Sequence, residues 1–455
     1  MSEERNYVVG LDIGTTKICV IVGEKNEFGK INILGMGKEE STGVNRGVVN
    51  NIQKTRDAIV RAVKTASDQS GILIKHVHVG IAGQHIHSQQ QKTAIVRPND
   101  KDNINQSDID RLMEETKKLA LEPNEQIIHV IAQEFMADKN VTKDPIGMPG
   151  VRFEGNFHVV SGNVTAIANI RKCVEDAGLI IDGIHLEPIA SSEAVLSEDE
   201  KEAGVVLVDI GGGTTDIAIF HDGLLRHTHV HPFGGNSITD DIKNGCSILQ
   251  KQAELLKVLH GHSSASFAPK SEILQINGFK ERSPKKIHTT VLAKIIECRL
   301  LEIFEAVVYQ IKSSGYEHKL AAGIVVTGGG SLLKFMKQFV EYVTRLDARV
   351  GSANEHLGAG MTDEVKSPLY ATGVGLLMLG LESNLHFRNN NQKQENAFVM
   401  DKKDSKIGPK LWPFGSKEKV EDKVETEHKK DGKSKLDGIK DVLNGLWSDP
   451  NFTDY

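Results

Sequence analysis

Residues 7–23, YVVGLDIGTTKICVIVG, and residues 205–220, VVLVDIGGGTTDIAIF, follow one grammar: apolar run, Asp-Ile-Gly, a threonine pair, apolar run. Each apolar run suits a strand, so each segment reads as a hairpin with a glycine-containing turn. Asp12 answers Asp209, Gly14 answers Gly211, and Thr15–Thr16 answer Thr214–Thr215. Copies this far apart point to two related half-domains rather than a short-period repeat. Glycine weakens a strand, so three adjacent glycines, Gly211 to Gly213, need a purpose. Successive backbone N–H groups in such a turn form an anion-binding nest, and glycine lets them approach a phosphate without a Cβ in the way. Threonine hydroxyls add short donors. Asp12 and Asp209 are placed to meet a phosphate-shielding cation, Mg²⁺, through water. No GxxxxGK loop ending in Ser or Thr is present, and here each turn leads into another strand.

A third glycine cluster, IVVTGGGSLLKF (324–335), reads as strand, turn, then helix, a place where a flat base or ribose can lie against backbone. Strand-like runs such as HVHVGIAG and IIHVIAQEF alternate with helical periodicity, as in NIQKTRDAIVRAVKTASDQSG and TVLAKIIECRLLEIFEAVVYQIKSSG, the latter ending at Gly315. The chain of 455 residues has room for two or more such domains. A net charge of −6 argues against a general nucleic-acid binder. The four cysteines, Cys19, Cys173, Cys246 and Cys298, lie far apart and read as reduced thiols. No apolar stretch approaches the roughly 20 residues of a spanning helix, and no secretory leader is expected. His76 and His78, and His227, His229 and His231, alternate along strands; these read as solvated strand faces rather than a metal site.

Composition changes after residue 384, where polar, charged sequence reads as a disordered linker over 385–435. Periodicity returns in LDGIKDVLNGLWSD. At about 100° per residue, Leu436, Ile439, Val442, Leu443, Leu446 and Trp447 share one helix face, with Asp437, Asp441, Asn444 and Ser448 opposite. The expectation is an amphipathic helix on an anionic lipid membrane, aided by Lys429, Lys430, Lys433 and Lys435 and by the segment 409–417. A docking helix for a protein partner is the rival reading.

The order DIGTT, LEPIASSEAVL, VDIGGGTTD, VVTGGGSLL resembles the actin-like ATPase superfamily. Segments 131–160, 233–242 (FGGNSITDDI) and 293–307 (AKIIECRLLEIFEAV) are similar to stretches particular to the FtsA family of bacterial cell-division proteins within it. The likeness covers about residues 5–380. It implies an α/β, actin-like (ribonuclease-H-like) duplicated fold, two domains around a nucleotide cleft, with an extra FtsA-type subdomain. The boundaries expected are 1–82 and 164–204 for subdomain 1A, 83–163 for the extra subdomain 1C, 205–236 and 311–384 for 2A, and 237–310 for 2B. The disordered linker and the C-terminal amphipathic helix, 436–455, complete the chain.

Carried over by position, the resemblance implies a first phosphate loop of Asp12, Gly14, Thr15, Thr16 and Lys17 and a second of Asp209, Gly211, Gly212, Gly213, Thr214 and Thr215. Gly235 joins the cofactor set; Glu254 and Lys257 would meet ribose and adenine, and Gly328, Gly329 and Gly330 would hold the adenosine. Glu187 stands where hydrolysing relatives orient the attacking water. Lys294 and Arg299 would receive the C-terminal tail of the division tubulin FtsZ, against the bland alternative of an Arg299 paired with Glu302. The implied function is an ATP- and Mg²⁺-dependent, self-polymerising adaptor, at most a slow ATPase. It would tether the FtsZ ring to the cytoplasmic face of the membrane at the septum and recruit later division proteins. A sugar-kinase-like phosphotransferase and a chaperone-like ATPase share the hairpins and stand as alternatives.

Overall fold

Strands Tyr7–Ile13 and Lys17–Lys25 are buried on nearly every residue, as continuous Val/Ile runs require in a sheet covered on both faces. The computed structural model describes residues 6–97, 102–276, 283–360 and 362–384. The expected linker and tail helix lie outside the described residues.

The first sheet has the order Ile180–Leu186, His76–Ile81, Tyr7–Ile13, Lys17–Lys25, Ile31–Glu40, Leu357–Gly360. The second has the order Ala348–Val350, Ile324–Thr327, Val205–Ile210, Thr215–His221, Leu224–His231. In each, three antiparallel strands continue into two parallel ones. The duplication read from two short motifs therefore extends to whole sheets. Helix Glu187–Val195 and the helix over 371–384 lie between them, and a shared core joins Ile21 and Cys19 of one sheet to Leu207 and Ala218 of the other.

The helix expected to end at Gly315 spans Thr289–Ser313, with Gly315 at φ +75° just beyond. It buries Ile296, Leu300, Ile303 and Phe304 against the second sheet and helices Gly235–Cys246 and Gln250–His260.

Between His76–Ile81 and Ile180–Leu186 the chain inserts a separate sheet, Ile86–Val96, Arg152–Asn163, Glu125–Ala137, Asn140–Thr142, with helix Gln106–Thr116 packed on it. The insert leans on Leu224–His231, the edge strand of the second sheet. Ser88 Oγ donates to the Thr228 carbonyl (2.8 Å), Gln90 Nε2 to that of Arg226 (2.8 Å), and Gln133 Nε2 to that of Leu225 (2.6 Å). Side chains thus satisfy carbonyls that an edge strand leaves open.

The reading of the histidines as solvated is corrected by their burial. His78 is 4% exposed and hydrogen-bonded to His185 at 3.0 Å, while His227, His229 and His231 are half-buried. Polar alternation marks a strand face, but tertiary packing covers it: His227 Nε2 bonds Gln310 Oε1 of helix Thr289–Ser313 at 3.0 Å, and Gly380 packs where a Cβ would strike the His78 ring. His158, 1% exposed, bonds Thr228 Oγ1 through Nε2 at 2.9 Å and lies beside Gln90. Burial, with His227 nearby, holds its pKa down at about 4 against the ordinary 6.5. The unfolded chain therefore takes up this proton first, and the stability contributed by neutral His158 is lost as pH falls from 6.5 towards 4. Buried carboxylates with raised pKa act in the opposite sense, so the difference between two proteins is the quantity to read. In urea unfolding, His158→Gln is expected to gain about 2 kcal/mol on the wild type between pH 7 and pH 5. An unchanged difference across that range would contradict the buried, neutral assignment.

Candidate functional site

Both hairpins turn in the same way. Gly14 N donates to the Lys17 carbonyl at 3.0 Å, and Gly211 N to the Thr214 carbonyl at 2.9 Å. Asp12 pairs with Cys19 across the first ladder, and Asp209 with Asp216 across the second. Equal turns place Thr15 and Thr16 where Gly212 and Gly213 stand, and Lys17 where Thr214 stands. The pairing of Thr15–Thr16 with Thr214–Thr215 is thereby corrected: residue type suggested one alignment, and hydrogen-bond register sets another.

The mismatch has a physical reason. The two tips abut across the cleft, and a Cβ added at Gly212 would collide with the Thr16 side chain, one at Gly213 with that of Thr15. Threonines on one tip require glycines on the other.

Behind the tips lie four carboxylates and one ammonium. Lys17 Nζ pairs with Asp12 Oδ2 at 2.6 Å. Asp209 Oδ2 accepts from Ser191 Oγ (2.6 Å) and Thr372 Oγ1 (3.3 Å). Asp216 Oδ2 accepts from Thr214 Oγ1 at 3.0 Å, while its Oδ1 is buried without a partner. Glu187 opens helix Glu187–Val195 beside them. Burial, and then the charges of Asp12, Asp216 and Asp209, push the Glu187 carboxyl well above its ordinary range. Burial does the same to Asp216, with Asp209 adding to it. Burial would depress the Lys17 ammonium, yet Asp12, by charge and hydrogen bond, together with Cys19 and Asp209 outweighs it and leaves the pKa raised. Four buried carboxyl groups against one ammonium, with one oxygen orphaned, suit a cation, which would favour their ionised forms.

These groups face a cavity of about 250 Å³ between the two domains. On the far wall, helix Gly235–Cys246 begins against the second hairpin: Gly235 N donates to the Gly211 carbonyl (2.9 Å) and Asn236 N to that of Gly212 (2.8 Å). Lys257 Nζ donates to the Gly235 carbonyl (2.9 Å) and pairs with Glu254 at 2.8 Å. Val258, Leu332 and Leu333 give this end an apolar lining, suited to a base.

The cavity gathers Glu187 and every residue assigned to the cofactor except Thr215 and Gly328. Thr215 is fully buried and donates to the Phe233 carbonyl at 2.8 Å, so it braces the turn from behind. Gly328, at φ +79°, packs where a Cβ would strike the Asp209 carboxylate. The third glycine cluster follows the expected order of strand, turn and helix: Ile324–Thr327 leads into a 3-10 turn, Gly329–Leu332, and the α-helix starts at Met336. Ser191, Thr372 and Asp216 were missed. Asp216 had a signal: in a two-stranded ladder, the residue opposite Asp209 shares its face.

The family model described as Cell division protein FtsA matches residues 206–375, and that of the SHS2 domain inserted in FtsA matches 83–161, the insert. The cell division protein FtsA of Neisseria meningitidis is 39% identical over 399 residues, 87% of this chain and 95% of that protein. The chain belongs to the FtsA family. The Escherichia coli FtsA is 34% identical over 404 residues, again 87% of this chain and 95% of that protein. Among solved structures, the PilM–PilN type IV pilus biogenesis complex matches with a TM-score of 0.60 at 13% identity, over 82% of this chain and 98% of that one. MreB5 of Spiroplasma citri bound to ADP gives 0.52 at 15%, over 85% and 100%. At such identities these two share the fold, actin-like and α/β, to which FtsA adds the insert.

The two residues assigned to an FtsZ tail stand on helix Thr289–Ser313. Lys294 is exposed and paired with Glu297 at 3.1 Å. Arg299 is held by both oxygens of Asp241 (2.6 and 3.0 Å) and by Glu302 (2.5 Å), with its guanidinium 5.6 Å from the Phe233 ring. Its fork is already occupied, and the Glu302 pairing weighed as the bland alternative is present.

Proposed function

We propose that this cell-division, actin-like protein of the FtsA family binds Mg-ATP in the cleft and polymerises on the cytoplasmic face of the membrane at the division septum. There, as a peripheral protein, it tethers the FtsZ ring and recruits later division proteins. The observation that carries the nucleotide reading is the pair of hairpins meeting tip to tip over an excess of buried carboxylate. The nucleotide carried by MreB5 of Spiroplasma citri, a protein of the same fold, supports it. Mg²⁺, when bound, would shield the phosphates. Among the described residues no three His, Cys, Asp or Glu side chains are placed to hold a metal ion directly, so Asp12 and Asp209 would hold it through water. Lys17 and the hairpin N–H groups bind phosphate, Glu254 and Lys257 meet the ribose and base, and Glu187 orients water for slow hydrolysis. Arg299 receives the FtsZ tail by exchanging Asp241 or Glu302 for a peptide carboxylate. The tail segment 436–455 supplies weak lipid contacts that polymerisation multiplies.

Electron microscopy of the purified full chain on anionic lipid monolayers tests this reading. Filaments are expected with Mg-ATP and not without it. A chain that binds ATP yet forms no filaments on lipid in either condition would remove the polymer from the account.

A further inference from the structure

One short turn and the residue two beyond it reach the third glycine cluster, Asp209 and Lys17. Ser367 caps the 3-10 turn Pro368–Tyr370. The Pro368 carbonyl accepts from Gly328 N at 3.2 Å, Leu369 lines the cavity beside Gly329, and Thr372 donates to Asp209. Tyr370, 1% exposed, lies beneath the first hairpin. Lys17 Nζ stands 5.5 Å from its ring centroid and Lys38 Nζ 5.6 Å. Lys38 Nζ also donates to the Tyr370 hydroxyl oxygen at 3.2 Å, and that hydroxyl donates to Glu364 Oε1 at 2.7 Å.

We propose that Tyr370 is a positioning residue for the polyphosphate, acting through Lys17. This rests on the nucleotide reading above. A lysine side chain has many rotamers, and fixing one on a ligand costs conformational freedom. Here the cost is met before binding. Asp12 holds the ammonium from one side and the Tyr370 ring from below, so Lys17 stands at the cavity already oriented. A cation over an aromatic face is attracted by the ring quadrupole, and more strongly when both are desolvated. Donation to the Glu364 carboxylate enriches that ring in electrons and offsets the pull of the Lys38 ammonium on the same oxygen. Lys38 satisfies the hydroxyl, as a buried tyrosine requires; the Lys17 ammonium over the ring is what an ordinary core tyrosine would not need.

Fluorinated phenylalanines separate the two roles, because fluorine drains the ring quadrupole while its shape barely changes. In the full chain, Tyr370→Phe and its mono-, di- and trifluoro analogues are titrated with Mg-ATP and, separately, with adenosine. Tyr370→Phe is expected to bind Mg-ATP within about threefold of wild type, and the trifluoro ring about tenfold more weakly than Phe. Adenosine, lacking phosphates, should bind within about twofold throughout. In a Lys17→Met background the fluorine dependence should vanish. A flat series for Mg-ATP, or parallel losses of ATP and adenosine, would overturn the assignment while leaving the nucleotide reading intact. A wild-type chain that binds neither ligand would overturn that reading, and this assignment with it.

Discussion

Gly212→Val is expected to weaken Mg-ATP binding by about a hundredfold or more, the scale of an overpacked contact. Its Cβ would meet Thr16 across the cleft. The second hairpin cannot retreat, since the carbonyls of Gly211 and Gly212 are bound from behind by the N–H groups of Gly235 and Asn236. The domains must therefore part, and the phosphate nest parts with them. Gly212→Ala should do the same more mildly, and Thr16→Ala in that background should recover part of the loss, because it removes the two Thr16 atoms nearest the new Cβ. Calorimetry on the three variants reads this directly. If Gly212→Ala alone bound as wild type, the tips would not meet as described.

Glu187→Gln is expected to cut ATP turnover by about 10²-fold or more while changing ATP affinity by less than about threefold. The carboxylate stands in a buried cluster with Asp12, Asp209 and Asp216, and their charges already hold its pKa high. Such a group is costly in the resting protein. Neutralising it should raise the unfolding midpoint, so the same substitution stabilises the fold and impairs the chemistry. Single-turnover hydrolysis and thermal unfolding of the one variant give both numbers. Equal losses of binding and turnover, or a lowered midpoint, would place Glu187 in phosphate binding or in structural support instead.

The duplicated hairpins were legible because their chemistry forces residue types: an aspartate at the strand end, then small or hydroxylated residues at the turn. Asp12 and Asp209 were found that way, and so was the cavity they share. Register was harder. Thr15–Thr16 resemble Thr214–Thr215 in sequence, but the turn hydrogen bonds make Gly212 and Gly213 their counterparts, which no comparison of letters reveals. Thr215 was assigned to the cofactor because it sits in the motif, and strand alternation turns its hydroxyl to the Phe233 carbonyl. The segment SPLYAT, with Tyr370 and Thr372, carries no motif of its own. Its role comes from where the chain returns to the cleft, a tertiary fact. The histidines failed for a related reason. A polar strand face reads as solvated until a distant part of the chain, such as the helix carrying Gln310, is laid against it.

The most direct measurement is the wild-type titration against which these variants are read: calorimetry of ATP into the purified full chain, with Mg²⁺ and then with Mg²⁺ chelated. A single site per chain that weakens when the cation is withdrawn is the result expected of a cleft with four buried carboxylates facing a polyphosphate. ATP that fails to bind in the presence of Mg²⁺, or binds as well without it, would contradict the account.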